Sequence, residues 1–466
     1  MRINWQNIWN RTNNYWKIKK QIRPESIISL HAICLIIFCF LYNNNNYWIV
    51  PILMLFTINF YCYTIQKDKL GIYMLCFSIL FIIFYVTNIE IRNKEYTNGS
   101  NYIIYSKKNN YYVVEQNWQY FSLNYNGNLN VGDVIEIENI HVEKLTDEYS
   151  KYLNSNDVYY KIDFHDVRVV GKKFNLHQIV KSYFQNSPQY YKNYMTLFYL
   201  GNLDSETADI AKKIKSLGVY HLAVISGFHL NFFTICISKI LTKLKINNSW
   251  QNIMIINLFI FIFIVSNYSI PIYRVVSVFI INIFIKKIWK SKMSVTSLLM
   301  SSLLYLIFRP GAINSISFQL SYLISFYILL FSKIKFKSKL LKLILIPVVA
   351  NSVSLLVTTQ INNLIYPFAI LNNLLYTPIF GFIYLVSVLL FYIKPYVDFI
   401  FKVFDIHFGF VKLLTFNIEN TNFSIMWFIV NFLILNIYLI TKSDKKLFME
   451  TQQIKYKTTL FKILNY

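Results

Sequence analysis

The chain has 466 residues, of which 55% are hydrophobic, 18% aromatic and only 15% charged, and its mean hydropathy is +0.39. This composition excludes a single soluble domain and favours a polytopic α-helical membrane protein. The five cysteines all lie in apolar segments, which excludes a disulfide framework and a cysteine-based zinc motif.

The net charge of +24 at pH 7 would on its own suggest nucleic acid or anionic lipid as a partner. The distribution of this charge indicates topology instead, because the basic residues cluster in alternate loops, as the positive-inside rule expects. We therefore expect a multi-pass protein of the cell membrane, in contact with membrane lipid, with both termini in the cytoplasm. The basic clusters lie at residues 2–23, 67–69, 239–245, 286–292, 333–342 and 442–446.

Residues 1–89 form the first predicted unit, an N-terminal membrane segment of three helices at residues 27–41, 47–65 and 70–89. Each run is apolar and close to the length that a membrane span needs. An odd number of spans carries the chain out of the cytoplasm, so the next domain is expected to be extracytoplasmic.

Residues 90–173 hold more than half of the acidic residues and alternate between apolar and polar side chains in short runs separated by turns. This pattern predicts a small extracytoplasmic β-barrel of the OB type. Aromatic side chains on such a barrel are candidates for stacking on single-stranded bases, although the acidic charge of the domain disfavours DNA. The candidate base-stacking residues are Tyr105, Tyr111, Trp118 and Tyr120.

Residues 174–217 predict amphipathic and polar connecting helices, residues 218–441 a transmembrane channel domain, and residues 442–466 a basic cytoplasmic tail. One candidate span, 399–416, is interrupted by charges and also fits a helix lying in the membrane interface. The whole chain then has 10 to 12 spans, and an even number returns the basic tail to the cytoplasm. The candidates in this domain are residues 219–237, 253–265, 270–285, 295–308, 316–331, 340–357, 365–391, 399–416 and 423–440.

The stretch GVYHLAVISGFHL, residues 218–230, places His221, Ser226, Gly227 and His229 in an apolar segment. Polar groups inside a membrane helix are costly, which predicts that this stretch lines a site or pore. A glycine beside a serine favours a break in the helix. Packing against neighbouring helices is the alternative interpretation.

Catalysis and metal binding by the same stretch are disfavoured. No acidic residue lies near Ser226 in the sequence to orient His229 as a base, and the separation of eight positions from His221 to His229 is not the spacing of a helical metal site. We therefore expect no catalytic residues, no metal and no cofactor.

Further polar residues lie in the later apolar segments. Arg274 is costly in lipid, so its side chain should face the interior, where it could attract a phosphate group. The uncharged residues suit a pore that passes a polyanion without trapping it, and hydrogen bonding between helices explains them equally well. The full set of candidate residues of the pore and DNA pathway is His221, Ser226, Gly227, His229, Arg274, Gln319, Ser321 and Asn373.

Several motifs of the chain, in this order, resemble those of the ComEC competence family of DNA-uptake channel proteins. The resemblance covers about residues 194–391, and the preceding three helices and barrel also resemble the family's N-terminal layout. Together the motifs are far more specific than any one alone. They are FYLGNLDSE at 198–206, GVYHLAVISGFHL at 218–230, IPIYR at 270–274, SFQLS at 317–321 and NLLYTP at 373–378.

The resemblance implies a channel for single-stranded DNA across the cytoplasmic membrane during DNA uptake in natural competence. The implied partners are an extracellular DNA receptor and a cytoplasmic helicase-like motor. Many members of the family also carry a metallo-β-lactamase-like domain with an HxHxDH motif, which the seven histidines of this chain do not form, so a separate nuclease is expected. Asn202 stands where family members often have aspartate, which argues against a proton or metal role there.

Two other functions remain as alternatives. A secondary transporter of a small anionic solute could use a broken helix at Ser226 and Gly227 as its binding site, although no inverted repeat is visible. A membrane-embedded enzyme acting on lipid or wall precursors is the other alternative.

Overall fold

The computed structural model describes a largely helical protein with one seven-stranded β-sheet set between helices. The predicted span 423–440, the basic tail 442–466 and residue Ser226 lie outside the described residues. The described residues are 24–44, 49–66, 69–92, 101–107, 111–125, 127, 129–138, 140–145, 150–163, 166–201, 205–223, 227–289, 293–332, 339–358, 364–365, 368–414 and 418–419.

Three helices begin the described part of the chain, close to the bounds predicted for the first membrane spans: α1 (Pro24–Asn43), α2 (Ile49–Gln66) and α3 (Lys69–Arg92). They are apolar along their length, and they share a buried core with residues 295–322. Tyr85 of α3 is fully buried there, and its hydroxyl lies 3.3 Å from the carbonyl of Pro310. The N-terminal segment is therefore packed onto the later helices.

The domain after α3 is a sheet whose order is β5-β6-β3-β2-β1-β4-β7. Neighbours pair in an antiparallel manner except β3 and β6, which are parallel. A two-residue turn at Asn117 and Trp118, both with positive φ, joins β2 to β3, as tight hairpins require. The elements are β1 (Asn101–Lys107), β2 (Tyr112–Gln116), β3 (Gln119–Leu123), β4 (Asp133–Glu138), β5 (His141–Lys144), α4 (Ser150–Asn154), β6 (Val158–Asp163) and β7 (Asp166–Lys172).

The prediction of a closed β-barrel is wrong, because the sheet ends at β5 and β7 and these two strands do not pair in the described residues. The alternation of β4 and β6, with every second residue buried, is what the sequence predicted. In β3, however, all five residues are buried. One face of β3 covers the core of the sheet and the other faces the helices, so the sheet is buried by packing on helices and not by closing on itself.

Short helices connect the sheet to the membrane block. They are α5 (Leu176–Gln185), α6 (Gln189–Met195), a π-helical turn Thr196–Leu200, α7 (Ser205–Ser216) and α8 (Tyr220–Ala223). Gly201, with φ +67°, ends the π-helical turn. Tyr194 and Phe198 in this segment are fully buried and belong to the largest apolar core of the protein.

The membrane block follows, and its helices contact one another in chain order. Asn247 caps one of them with its side chain, which accepts a hydrogen bond from the backbone of Ser249. The helices are α9 (Gly227–Lys243), α10 (Asn248–Val265), α11 (Ile270–Trp289), α12 (Ser294–Phe308), α13 (Ile316–Ser332), α14 (Lys339–Thr358), α15 (Ala369–Leu389) and α16 (Lys394–Leu414).

Among the described residues, three helices are long and apolar enough to cross a membrane: Tyr73–Arg92, Asn248–Val265 and Leu371–Leu389. Shorter apolar helices accompany them, and a membrane span needs about 20 residues if it is straight. These helices indicate a membrane protein, while the number of crossings and their orientation stay predictions. The shorter helices are Ile28–Asn43, Ser294–Phe308, Ile316–Ser332 and Leu345–Ser354.

Candidate functional site

The predicted pore residues between positions 221 and 229 lie on α8 and α9 or in residues 224–226 between them, which are outside the described residues. His221 lies in α8, and its side chain is outside the described atoms, as is Ser226. Gly227 is the first residue of α9.

Gly227 lies directly against the guanidinium of Arg274 in α11. A Cβ at position 227 would overlap Nη2 of Arg274 and would lie 3.0 Å from Cγ2 of Val275. Such a close approach requires glycine, because every other residue carries a Cβ atom. The fold thus brings Gly227 and Arg274 together across 47 residues of the chain.

The other end of the same guanidinium is held by α13. Nη1 of Arg274 donates hydrogen bonds to the carbonyl of Ser321 and to the hydroxyl of Ser325. Within the part of the chain that the structure describes, no carboxylate forms an ion pair with Arg274. The arginine is therefore hydrogen-bonded but not neutralised, which is costly among apolar helices.

Hydroxyl groups continue from Arg274 across the helix interface. The hydroxyls of Ser277 and Ser301 lie 2.5 Å apart, and Ser301 lies 2.9 Å from the hydroxyl of Tyr322. These bonds join α11, α12 and α13. They also fit the ordinary role of small polar residues as contacts between membrane helices.

His229 packs on Tyr384 of α15, with the two ring centroids 3.8 Å apart. The Tyr384 hydroxyl lies 2.6 Å from the carbonyl of Ala223, the last described residue of α8, and 3.1 Å from the carbonyl of Phe198, and its one hydrogen is donated to one of these two at a time. Tyr384 thus connects α15 to the last described residue of α8, and sequence reasoning did not select it.

The structure does not bring the other two candidates to Arg274. Gln319 donates to the carbonyl of Ile313 at 3.1 Å, in the loop before α13. Asn373 donates to the side chain of Asn351 at 2.8 Å, between α14 and α15. Of the eight predicted residues, Gly227, Arg274 and Ser321 form one contact group, and His229 lies at the neighbouring Tyr384.

A cavity of about 390 Å³ lies between the sheet and the membrane block. Its volume is within the usual range of ligand pockets, about 300–1,000 Å³. The wall formed by the sheet and the wall formed by the helices are both rich in tyrosine and serine. The residues that line the cavity include Tyr105, Asp157, Tyr268, Ser269, Arg309 and Ser317.

Asp157 joins the sheet to the helices beside this cavity, and only 1% of its side chain is exposed. Its carboxylate lies 3.7 Å from Arg92 and 3.5 Å from Arg309, and it accepts a hydrogen bond from the backbone of Gly311 at 2.7 Å. Gly311 fits because a Cβ there would overlap the carbonyl of Asn154. The joint is a buried ion-pair network in which every oxygen of Asp157 has a partner.

Arg309 also lies over two of the predicted base-stacking residues. Its guanidinium carbon is 4.2 Å from the ring centroid of Tyr120 and 5.0 Å from that of Tyr105, which is cation–π geometry. Burial raises the pKa of Tyr120 to about 12, against the opposing effect of Arg309. Tyr111 is buried as well, whereas Trp118 is 71% exposed at its turn.

Sequence reasoning missed Asp157 and Arg309. Two signals were present: an arginine followed by Pro310 and Gly311 at the end of an apolar run, and an acidic residue in the loop before β6. Neither signal indicates a partner without the fold. Within the described residues, no group of three or more histidine, cysteine or carboxylate side chains could hold a metal ion.

Comparison with known proteins agrees with the motifs. The sequence profile of the family described as competence protein matches residues 198–443. No solved structure matches the fold.

Two curated relatives are similar to part of the chain. An uncharacterized protein of Mycoplasma genitalium, MG316, is 28% identical over 224 residues, which cover 46% of this chain and 58% of that protein. Its homolog in Mycoplasma pneumoniae is 25% identical over 215 residues, which cover 46% of this chain and 55% of that protein. The match thus spans little more than half the length of these relatives. Because the family profile covers more than half of this chain, the resemblance is confirmed: the chain belongs to the competence protein family.

Proposed function

We propose that this membrane protein acts in DNA uptake during natural competence and conducts single-stranded DNA across the cytoplasmic membrane. The observation that carries the proposal is Arg274, an arginine without a carboxylate partner among the described residues, held between the start of α9 and α13. A buried cation that is not neutralised is costly unless it serves an anion. The phosphate groups of a DNA strand are such anions.

The position of Arg274 about one helical turn from the cavity supports the proposal. Pro271 and Ser317 line the cavity between sheet and helices, and both lie on the helices that carry Arg274 and Ser321. At about 1.5 Å per residue, Arg274 lies about 4.5 Å beyond Pro271 along α11, and Ser321 lies about 6 Å beyond Ser317 along α13. In this proposal the cavity is the outer vestibule, and the arginine lies at the neck below it.

The expected topology gives the proposed pathway its direction. With both termini in the cytoplasm and the sheet domain outside, the cavity faces the side from which DNA arrives. An extracellular DNA receptor would deliver the strand, and a cytoplasmic helicase-like motor would draw it inward. Degradation of the other strand would fall to a separate nuclease.

A transporter of a small anionic solute remains the second candidate, because an arginine at the predicted helix break would also suit a small anion. The two functions differ in what the vestibule must accept. A strand needs an opening that continues through the protein, whereas a small solute needs only an occluded site.

Replacing the chromosomal gene by one that encodes Arg274→Gln tests the proposal. Glutamine keeps hydrogen-bond donors but removes the charge, and we expect uptake of labelled DNA and transformation to fall by about 10- to 150-fold, the effect of one charged hydrogen bond. Arg168→Gln is the matched control, because Arg168 is 65% exposed in β7. Wild-type uptake by Arg274→Gln, with normal protein levels in the membrane, would overturn the proposal.

A further inference from the structure

The cavity between the sheet and the helices carries an excess of positive charge. Asp157 is shared by two guanidinium groups, those of Arg92 and Arg309, so the joint keeps one net positive charge. Of the two arginines, Arg309 lines the cavity. A buried site with one unpaired positive charge favours a ligand with one negative charge.

The same cavity offers surfaces for an aromatic ring. Tyr268 is 47% exposed, on the loop between α10 and α11, and Tyr105 forms part of the opposite wall. Single-stranded bases stack on aromatic side chains of this kind.

One residue of the cavity wall, Ser269, carries a hydroxyl group without a partner among the described residues. The Oγ of Ser269 is buried and has no hydrogen-bond partner among the described residues. A buried polar atom of this kind is costly, and a ligand with polar groups would satisfy it.

We propose that this cavity binds one nucleotide of a single DNA strand, with its phosphodiester group on Arg309 and its base against Tyr268. The inference rests on the proposed function and adds the recognition step before the neck. The charges then balance, because Asp157 stays with Arg92 while the phosphate neutralises Arg309. At about 390 Å³, the cavity has room for one nucleotide but not for stacked base pairs, so it selects a single strand over a duplex.

Binding of a fluorescent oligothymidylate to the purified full-length protein in detergent, followed by anisotropy at several salt concentrations, tests this inference. We expect Arg309→Gln to weaken binding by at least 10-fold and to reduce the salt slope by about 0.7, the value for one phosphate contact on a single strand. Because Arg309 also holds the joint, Tyr268→Ala is the second variant. It should weaken binding by about 5- to 150-fold without changing the salt slope.

Tyr392→Ala, at a tyrosine that is 87% exposed and outside the cavity, is the control and should bind as the wild type does. Unchanged affinity in both Arg309→Gln and Tyr268→Ala would overturn the inference. The proposed function is judged separately: if these variants bind normally while Arg274→Gln still blocks uptake, the nucleotide site is wrong and the channel stands. If Arg274→Gln takes up DNA normally, the channel is wrong whatever the binding data show.

Discussion

Replacing Gly227 by alanine would place a methyl group where the guanidinium of Arg274 lies. The new Cβ would overlap Nη2 of Arg274 and would lie 3.0 Å from the side chain of Val275. The guanidinium must then move, and its hydrogen bonds to the carbonyl of Ser321 and the hydroxyl of Ser325 are strained or lost.

The size of the effect follows from three contributions. Overpacking of a filled interior costs about 1–3 kcal/mol, and a lost hydrogen bond from a charged group costs about 1.5–3 kcal/mol. Alanine regains at most about 1 kcal/mol of helix propensity over glycine, and less at the first residue of α9. We expect a net destabilisation of about 2 kcal/mol, with partial relaxation of the arginine reducing the sum.

Gly409→Ala is the matched control, because nothing lies within 4 Å of a Cβ at this position in α16. That substitution should stabilise the protein by about 0.5–1 kcal/mol through helix propensity alone. Thermal unfolding of both variants in the same detergent, at one scan rate, measures the difference, and uptake of labelled DNA measures the functional consequence. If Gly227→Ala has the same melting temperature as Gly409→Ala and supports the same uptake of labelled DNA, the close contact between Gly227 and Arg274 is contradicted.

Asp157 and Tyr384 give two further predictions. Asp157→Asn removes the carboxylate but keeps its shape, leaving Arg92 and Arg309 without an ion pair, and should destabilise the full-length protein by about 3–5 kcal/mol; a melting temperature equal to that of the wild type contradicts this. Tyr384→Phe removes the donor to the carbonyl of Ala223 and should cost about 1–3 kcal/mol, with less uptake of DNA; equal stability in thermal unfolding would count against a structural role of this hydroxyl.

The helices could be predicted from the sequence because length and apolarity are local properties. The predicted span 295–308 corresponds to α12, Ser294–Phe308, and the predicted span 70–89 lies within α3, Lys69–Arg92. The apolarity of each segment depends only on the residues of that segment.

The closure of the sheet could not be predicted in this way. Alternation along a strand indicates which residues face opposite sides, but it does not indicate what covers each side. Tyr120 points toward Arg309, and its neighbour Phe121 points into the core of the sheet. Both faces of β3 are thus covered, one of them by a residue almost two hundred positions away in the chain.

The candidate site was predictable residue by residue but not as a group. An arginine such as Arg274 is costly in an apolar helix and a glycine such as Gly227 is unusual there, and both residues can be recognised in the sequence. Their contact depends on the packing of α9 on α11, which no local pattern encodes. The same holds for Asp157 and Arg309, which meet only because the sheet packs on the loop after α12.

Movement of a DNA strand into sealed vesicles that contain only this protein tests the central claim most directly. An inside-positive membrane potential supplies the driving force, about 2.3 kcal/mol per charge for each 100 mV. We predict that a labelled single-stranded oligonucleotide becomes protected from external nuclease with the wild type and with Gly409→Ala, and far less with Arg274→Gln. Accumulation of a labelled small anion with no protected oligonucleotide in wild-type vesicles would contradict the account and favour the solute transporter.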